Sequence, residues 1–457
     1  MKDTAKKQLG IAELTCFGIG NCIGSGIFVS LCAAIARTGR SITLAIILAN
    51  VIVLFAYAYK TLMSGMFALS GGRYGQAVLL QPPLLIGASA VIAVFTSFSF
   101  TMYALAAVEY AGTIFPSFLS HKTLLAALIL TAFFLTTLFG AKFMGRFNEI
   151  MVYVLLLSLL LYIGIGLPQV EWCMVTPFSE DCFSGGAGGF LIAAATMSFA
   201  CQGSTLPIDM TADARDPKRA LPKAILLSSL AVLIFYTLIS IVTAGVLPIE
   251  NVAGKNLGVV AQQIFPRSLF VIFILGGACM AITTSLYSSM ASAPHPLLAA
   301  VKDGWLPKFF GKTTPKGYPW VIMLTLYVVS LLLLFIDFGL QEIISLITIP
   351  NMILNTVNNL LFIRLIRQYP VAWGKSFFHM PRPAVIAVSL FATLCSLIIT
   401  VSLLTTLNGG KQCALCGLIL FIFGYCLYRL KTGKVDLTSI NRLRAQLELE
   451  AGRGEQG

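Results

Sequence analysis

The chain is 457 residues long, with 58% hydrophobic and only 11% charged residues, against roughly 25% charged in an ordinary soluble protein. That composition, with a mean hydropathy of +0.89, excludes a soluble globular enzyme and describes a chain whose main solvent is lipid. The net charge of +13 would suit nucleic acid in a soluble protein, but in a membrane protein positive charges first report topology.

Crossing a hydrocarbon core of about 30 Å takes about 20 residues of helix. Apolar runs of adequate length fall at 11–36, 42–69, 84–114, 123–141, 149–168, 187–211, 222–246, 268–300, 320–337, 341–366, 384–407 and 414–430. The expected fold is therefore an all-α polytopic membrane protein with twelve transmembrane helices and a polar tail from 432 to 457. An even number of spans puts both termini on one side. Of the 31 Lys and Arg residues, 24 fall on that side, six on the other, and Lys60 lies inside the second span. Because lysine and arginine accumulate in cytoplasmic loops, both termini are expected in the cytoplasm. The same distribution removes nucleic acid as a partner and leaves membrane lipid.

At the N-terminus, Lys2, Lys6 and Lys7 lead straight into the first apolar run, which reads as a span and not as a cleaved leader. In the tail, Leu437, Ile440, Leu443 and Leu447 recur at helical spacing, so a short amphipathic helix on the membrane surface and a disordered tail both stand as readings. Of the 11 cysteines, Cys16, Cys22, Cys32, Cys201, Cys279, Cys395 and Cys426 sit inside apolar runs without paired ligands at metal spacing, the pattern of small apolar fillers. Cys173 and Cys182 share one outer loop, where a bridge could form in an oxidising compartment. Cys413 and Cys416 form a lone Cys-x-x-Cys without a second ligand pair.

Two runs are interrupted. Gly18, Gly20, Asn21, Gly24, Ser25 and Gly26 crowd the middle of the first, where each glycine costs up to about 1 kcal/mol against alanine. One reading is close packing through small residues four apart, as at Gly20 and Gly24. The other is a broken helix whose second half begins at Gly24-Ser25-Gly26 and offers unhindered N–H groups to a carboxylate. In the sixth run, Cys201, Gln202, Gly203, Ser204, Thr205 and Pro207 form a second interruption, 179 residues beyond the first. Five spans per unit would give spans one to five and six to ten opposite orientations, an inverted repeat with its site at the paired breaks.

Three stretches carry a family resemblance. Ile23-Gly24-Ser25-Gly26-Ile27-Phe28 resembles the first-span signature of the amino acid–polyamine–organocation superfamily of permeases. Residues 213–225, with Asp216-Pro217-Lys218-Arg219 and Pro222-Lys223-Ala224-Ile225, are similar to its loop after span six, and 302–310, with Asp303-Gly304 and Pro307, to its loop after span eight. The resemblance implies a LeuT-like 5+5 inverted repeat with helices 1 and 6 broken. Its units would be a first repeat at 1–168, an outer loop and second repeat at 169–366, helices eleven and twelve at 367–431, and a cytoplasmic tail at 432–457.

The resemblance also implies a substrate site. The α-carboxylate of an amino acid would meet N–H groups of Gly24, Ser25 and Gly26, while its ammonium would meet carbonyls near Ile19, Cys22, Ile23 and the stretch Phe199, Cys201, Gln202 and Gly203. Half-helix dipoles favour this arrangement. Phe199 takes the position of the family's aromatic gate, and an ordinary core Phe is its plain alternative. No acid falls in either break, and Thr205 stands where some members carry one, so neutral L-amino acids are the expected substrate. Asp209, one turn away, keeps cationic amino acids or amines as the alternative.

No cofactor is indicated, but such carriers need a coupling ion, Na+ or H+, or a counter-substrate. The stretch 148–156 lacks the span-five lysine of many relatives, which speaks against lysine-based proton coupling. Ser285, Ser288 and Ser289, with carbonyls of Gly20 and Ile23, present oxygen ligands suited to Na+; helical serines also bond their own backbone for no functional reason. His295, between Pro294 and Pro296, reads as a structural histidine or a proton sensor. An enzyme lacks converging intramembrane acids and bases, whereas a channel or sensor of the same architecture would differ from a carrier in saturable countertransport. A protein partner is not indicated. Short tails favour a bacterial inner membrane.

Overall fold

A computed structural model describes residues 9–68, 72–137, 141–174, 181–211, 214–314, 319–336 and 338–453. The side chains of Ser25, 141–150, Ser288 and His295 lie outside that description, and with them the sequence readings that concern them. Among the described residues the chain is all-helical, with two isolated backbone bridges, Leu9 to Ala214 and Gly39 to Cys182.

Among the described residues seven helices are long and apolar enough to cross a membrane: Pro83–Gly112, Gly186–Asp209, Pro217–Gly245, Arg267–Tyr287, Leu340–Gln368, Arg382–Leu404 and Gly409–Lys431. Two further spans are bent pairs, Ile11–Ile23 with Gly26–Thr38 at 43° and Ile42–Ala56 with Ala58–Met66 at 47°. Shorter apolar helices run over Lys122–Thr137, Tyr153–Gln169 and Trp320–Leu334. All of these lie on the apolar runs of the sequence. Their amphipathicity is inverted relative to a soluble protein: Leu157, Leu160, Leu230, Leu394 and Phe421 are exposed, while Asn50, Thr101, Ser228, Asn355 and Asn359 are buried. That is the distribution expected of an integral membrane protein, in which lipid solvates the apolar faces and the polar groups pair inside.

The Ile11–Thr38 helix is the axis of the bundle. It packs against Gly186–Cys201, Gln202–Met210, Pro217–Gly245 and Met280–Ser292. Glycine makes the closest of these approaches physical. A Cβ on Gly26 would lie 2.5 Å from Cα and Cβ of Ala200, and one on Gly18 would lie 2.8 Å from Ser228 Oγ. At the far end of this helix Gly39 has φ +65°, and a Cβ there would strike the carbonyl of Asp181, so two separate constraints call for glycine. Arg40 closes that end through a 3.1 Å ion pair with Asp181 and a hydrogen bond to the Ala244 carbonyl.

The tail helix and the segments beside it are tied by polar contacts. The tail helix Leu437–Arg453 lies on the protein: Ile440 is 1% exposed, and Leu443 packs on the core. Of the two readings of the tail, the described residues take the helical one; Ile440 and Leu443 of its apolar stripe face protein, Leu437 is exposed, and the side chain of Leu447 lies outside the described residues. Arg444 donates to the carbonyl of Val78 at 2.7 Å and of Gln81 at 3.1 Å, closing the helix Gly72–Leu80. Asp303 forms the hub beside it, accepting from Tyr74 Oη and, at 2.9 Å, from Ser439 Oγ. Burial and this carboxylate together push the Tyr74 phenol above its usual pKa. Trp305 is fully buried against Gly87.

Candidate functional site

The two interruptions meet. The first helix continues as helix through Gly24-Ser25-Gly26 but bends by 43° between Ile23 and Gly26. Opposite it, the Gly186–Cys201 helix tightens into a 3₁₀ segment over Gln202–Met210. The sequence reading of two outright breaks is thereby refined to a bend facing a change of helix type. Pro207 explains the second, since it lacks the N–H that an α-helix needs and its ring crowds the preceding turn. The change of pitch displaces carbonyls from the ladder, and they require other donors.

The donors come largely from other helices. Tyr236 Oη donates to the carbonyl of Cys22 at 2.6 Å and lies 3.4 Å from that of Ala200, so a single hydroxyl bridges the bend and the facing helix. Cys22 Sγ donates to the Cys201 carbonyl at 3.5 Å. A Cβ on Gly203 would lie 2.9 Å from Cys22 N, so this glycine lets the backbones approach. Gln202 accepts from Tyr57 Oη at 2.8 Å. Thr205 turns its hydroxyl onto the Gln202 carbonyl and Ser204 onto that of Cys201, both at 3.1 Å. Asn50 extends the network: it donates to the Ser229 carbonyl at 3.3 Å and accepts from Ser229 Oγ at 2.8 Å.

Cys22, Ile23, Gly26, Phe199, Cys201 and Gly203 are thus buried in one place, with Ile19, Gly20, Gln202 and Thr205 partly buried beside them. Several carbonyls assigned to a ligand already hold side-chain donors: those of Cys22 and Gln202 one each, and that of Cys201 two. Phe199 is 6% exposed. On Met280–Ser292, which packs against the first helix, Ser285 is buried and its Oγ has no hydrogen-bond partner among the described residues. Thr348 Oγ1, on Leu340–Gln368, is in the same condition. Among the described residues no group of His, Cys, Asp and Glu is arranged to hold a metal.

Sequence reasoning missed Tyr57, Tyr236, Asn50 and Ser229. A tyrosine or asparagine inside an apolar run is a visible anomaly, but which backbone it serves depends on a helix more than 140 residues away. Missed too was a cavity of about 120 Å³ lined by Tyr59, Lys60, Arg73, Gln76, Asn355 and Asn358 among others. Asp209, on the 3₁₀ segment Gln202–Met210, is paired with Arg73 at 3.0 Å.

An all-helical membrane protein with these facing segments matches the family model described as amino acid permease over residues 9–425, and the chain belongs to that family, within the amino acid–polyamine–organocation superfamily. It is a membrane transporter and not an enzyme. Its relatives include the branched-chain amino acid permease BcaP of Bacillus subtilis, 27% identical over 332 residues, covering 68% of this chain and 70% of the relative. The methylthioribose transporter of the same organism is 26% identical over 340 residues, covering 68% and 70%. The putrescine transporter PotE of Haemophilus influenzae is 24% identical over 455 residues, covering 94% and 98%.

Proposed function

We propose that the protein is a secondary active transporter carrying neutral L-amino acids by alternating access, with its substrate held where the bend at Ile23–Gly26 faces the 3₁₀ segment Gln202–Met210. The observation that carries this reading is that juxtaposition: interrupted backbone at membrane depth is tolerated where it lines a site, and a half-helix N-terminus suits a carboxylate. Gly24, Ser25 and Gly26 would take the carboxylate through N–H groups loosened by the bend. Carbonyls of Ile19, Cys22 and the Phe199–Gly203 stretch would take the ammonium, that of Cys201 in exchange for one of its two side-chain donors.

Support for a neutral substrate comes from Asp209, whose charge is met by Arg73. A second substrate cation would therefore find no unpaired acid there, and a bare charge at that depth is costly. The exchange of cationic amino acids or amines is the second reading, favoured by the nearly full-length similarity to a putrescine transporter. Seven long spans, two bent pairs and three shorter apolar helices support a twelve-span 5+5 arrangement, and the bias of lysine and arginine supports cytoplasmic termini in a bacterial inner membrane.

Sodium is the proposed coupling ion. The unpartnered, buried Ser285 hydroxyl is an oxygen awaiting a donor or a cation, and with Ser288, Ser289 and carbonyls of Gly20 and Ile23 it would form an all-oxygen set suited to a hard ion. Uptake of radiolabelled amino acids into proteoliposomes, under separately imposed sodium and proton gradients and with or without internal amino acid, tests both parts. Neutral amino acids are expected to enter empty vesicles with inward sodium. Uptake of amines in their place would overturn the substrate reading, and uptake that ignores sodium but needs internal amino acid would overturn the coupling.

A further inference from the structure

Lys60 stands deep inside an apolar run, 42–69, whereas Lys223 is at the edge of its run, 222–246. It belongs to Ala58–Met66, the second half of a bent span, where an ionised side chain is costly unless it is paired or lines a wet cavity. Among the described residues no carboxylate lies within salt-bridge distance of its ammonium. Instead Nζ sits 4.4 Å from the ring centroid of Tyr57 and 5.8 Å from that of Tyr59, a contact that favours a cation but cancels no charge.

Lys60 also lines the cavity of about 120 Å³ described above. The opposite wall is polar and held rigid: Tyr59 Oη donates to Asn355 Oδ1 at 3.1 Å and accepts from Asn358 Nδ2 at 3.0 Å. Arg73 lines the same cavity with its charge committed to Asp209. Lys60 is therefore the cationic group at this cavity that has no carboxylate of its own among the described residues. Two side chains join the cavity to the 3₁₀ segment Gln202–Met210: Tyr57, under the Lys60 ammonium, donates to Gln202, and Arg73 pairs with Asp209.

We propose that this cavity is a second station for the transported molecule, a carboxylate subsite in which Lys60 Nζ takes the carboxylate after it leaves the bend, and that the same charge turns away amines lacking a carboxylate. The proposal rests on the transport reading above and deepens it, since it makes Lys60 a determinant of substrate class. A cation in a walled cavity attracts an anion far more strongly than it would in water, because the surroundings screen it less.

The test uses the full-length protein and two leucine analogues, 4-methylpentanoate, which lacks the amine, and 3-methylbutylamine, which lacks the carboxylate. Ligand-dependent shifts in thermal unfolding in detergent report binding whether or not transport occurs. Wild type and Lys60→Arg are expected to bind the carboxylate and not the amine. Lys60→Gln, and Lys60→Met, which keeps an apolar stem over Tyr57, should each raise the half-saturating carboxylate concentration at least tenfold. In proteoliposomes both should gain putrescine uptake. Undiminished carboxylate binding in whichever neutral variant folds, or no carboxylate response in wild type, overturns the subsite. If wild type carries neutral amino acids while the neutral variants bind carboxylate normally, the subsite fails and the transport reading survives. If Lys60-dependent binding appears with no amino acid transport, the reverse holds.

Discussion

Gly26→Ala is the most direct probe of how the two interrupted segments are held. The added Cβ would stand 2.5 Å from Cα and Cβ of Ala200 and 3.0 Å from Tyr236 Oη, whereas ordinary contact begins at 3.4 Å. The first and sixth spans must therefore part by about 0.9 Å, and backbone at both contact points leaves no flexible side-chain end to yield. Overpacking of this kind costs about 1–3 kcal/mol. Tyr236 Oη must give way as well; if the whole displacement fell on its 2.6 Å bond to the Cys22 carbonyl, that bond would lengthen to about 3.5 Å, the outer limit of a hydrogen bond, and its weakening adds up to about 1–3 kcal/mol at a buried acceptor. These terms share atoms and will not simply add. Purified Gly26→Ala should unfold at a temperature several degrees below wild type at a fixed scan rate, and transport should fall at least tenfold. Gly424→Ala is the control: nothing lies within 4 Å of a Cβ there, and a better helix former should leave stability unchanged or raised. If Gly26→Ala matches Gly424→Ala in both assays, close approach of these helices is not the purpose of Gly26.

Other substitutions test neighbouring parts of the same argument. Tyr236→Phe removes the hydroxyl between the Cys22 and Ala200 carbonyls without changing the packing, and should cost about 1–3 kcal/mol in thermal unfolding; an unchanged melting temperature would show that the carbonyls find other donors. Asn50→Ala and Ser229→Ala, measured singly and together, should show a coupling of about 0.5–3 kcal/mol because the two side chains bond each other at 2.8 Å; strict additivity would refute the pairing. Arg444→Ala frees the carbonyls of Val78 and Gln81 and should speed trypsin cleavage in the tail several-fold while leaving the rest of the chain resistant. Ser285→Ala should abolish any sodium dependence of uptake, whereas retained dependence would remove this hydroxyl from the ion's ligands.

The sequence alone determined the membrane setting, the places of the apolar runs and the two anomalous stretches, because each rests on composition within about 20 residues. The glycine cluster around Gly24 and the Gly203–Pro207 stretch were legible for the same reason: glycine and proline in an apolar run are local departures with local costs. Tertiary structure decided what those departures do. It showed that the first helix bends without losing its helix and that the sixth changes pitch, since the outcome depends on how much the neighbouring helices restrain the backbone. It also decided which hydroxyl serves which carbonyl. Tyr236 and Asn50 resemble other polar residues of apolar runs until helices distant in sequence are brought side by side, and Lys60 is only a misplaced charge until the cavity beside it is seen. Long-range pairing leaves no periodic trace in the chain, because in lipid a buried polar group can be satisfied by any helix that packs against it.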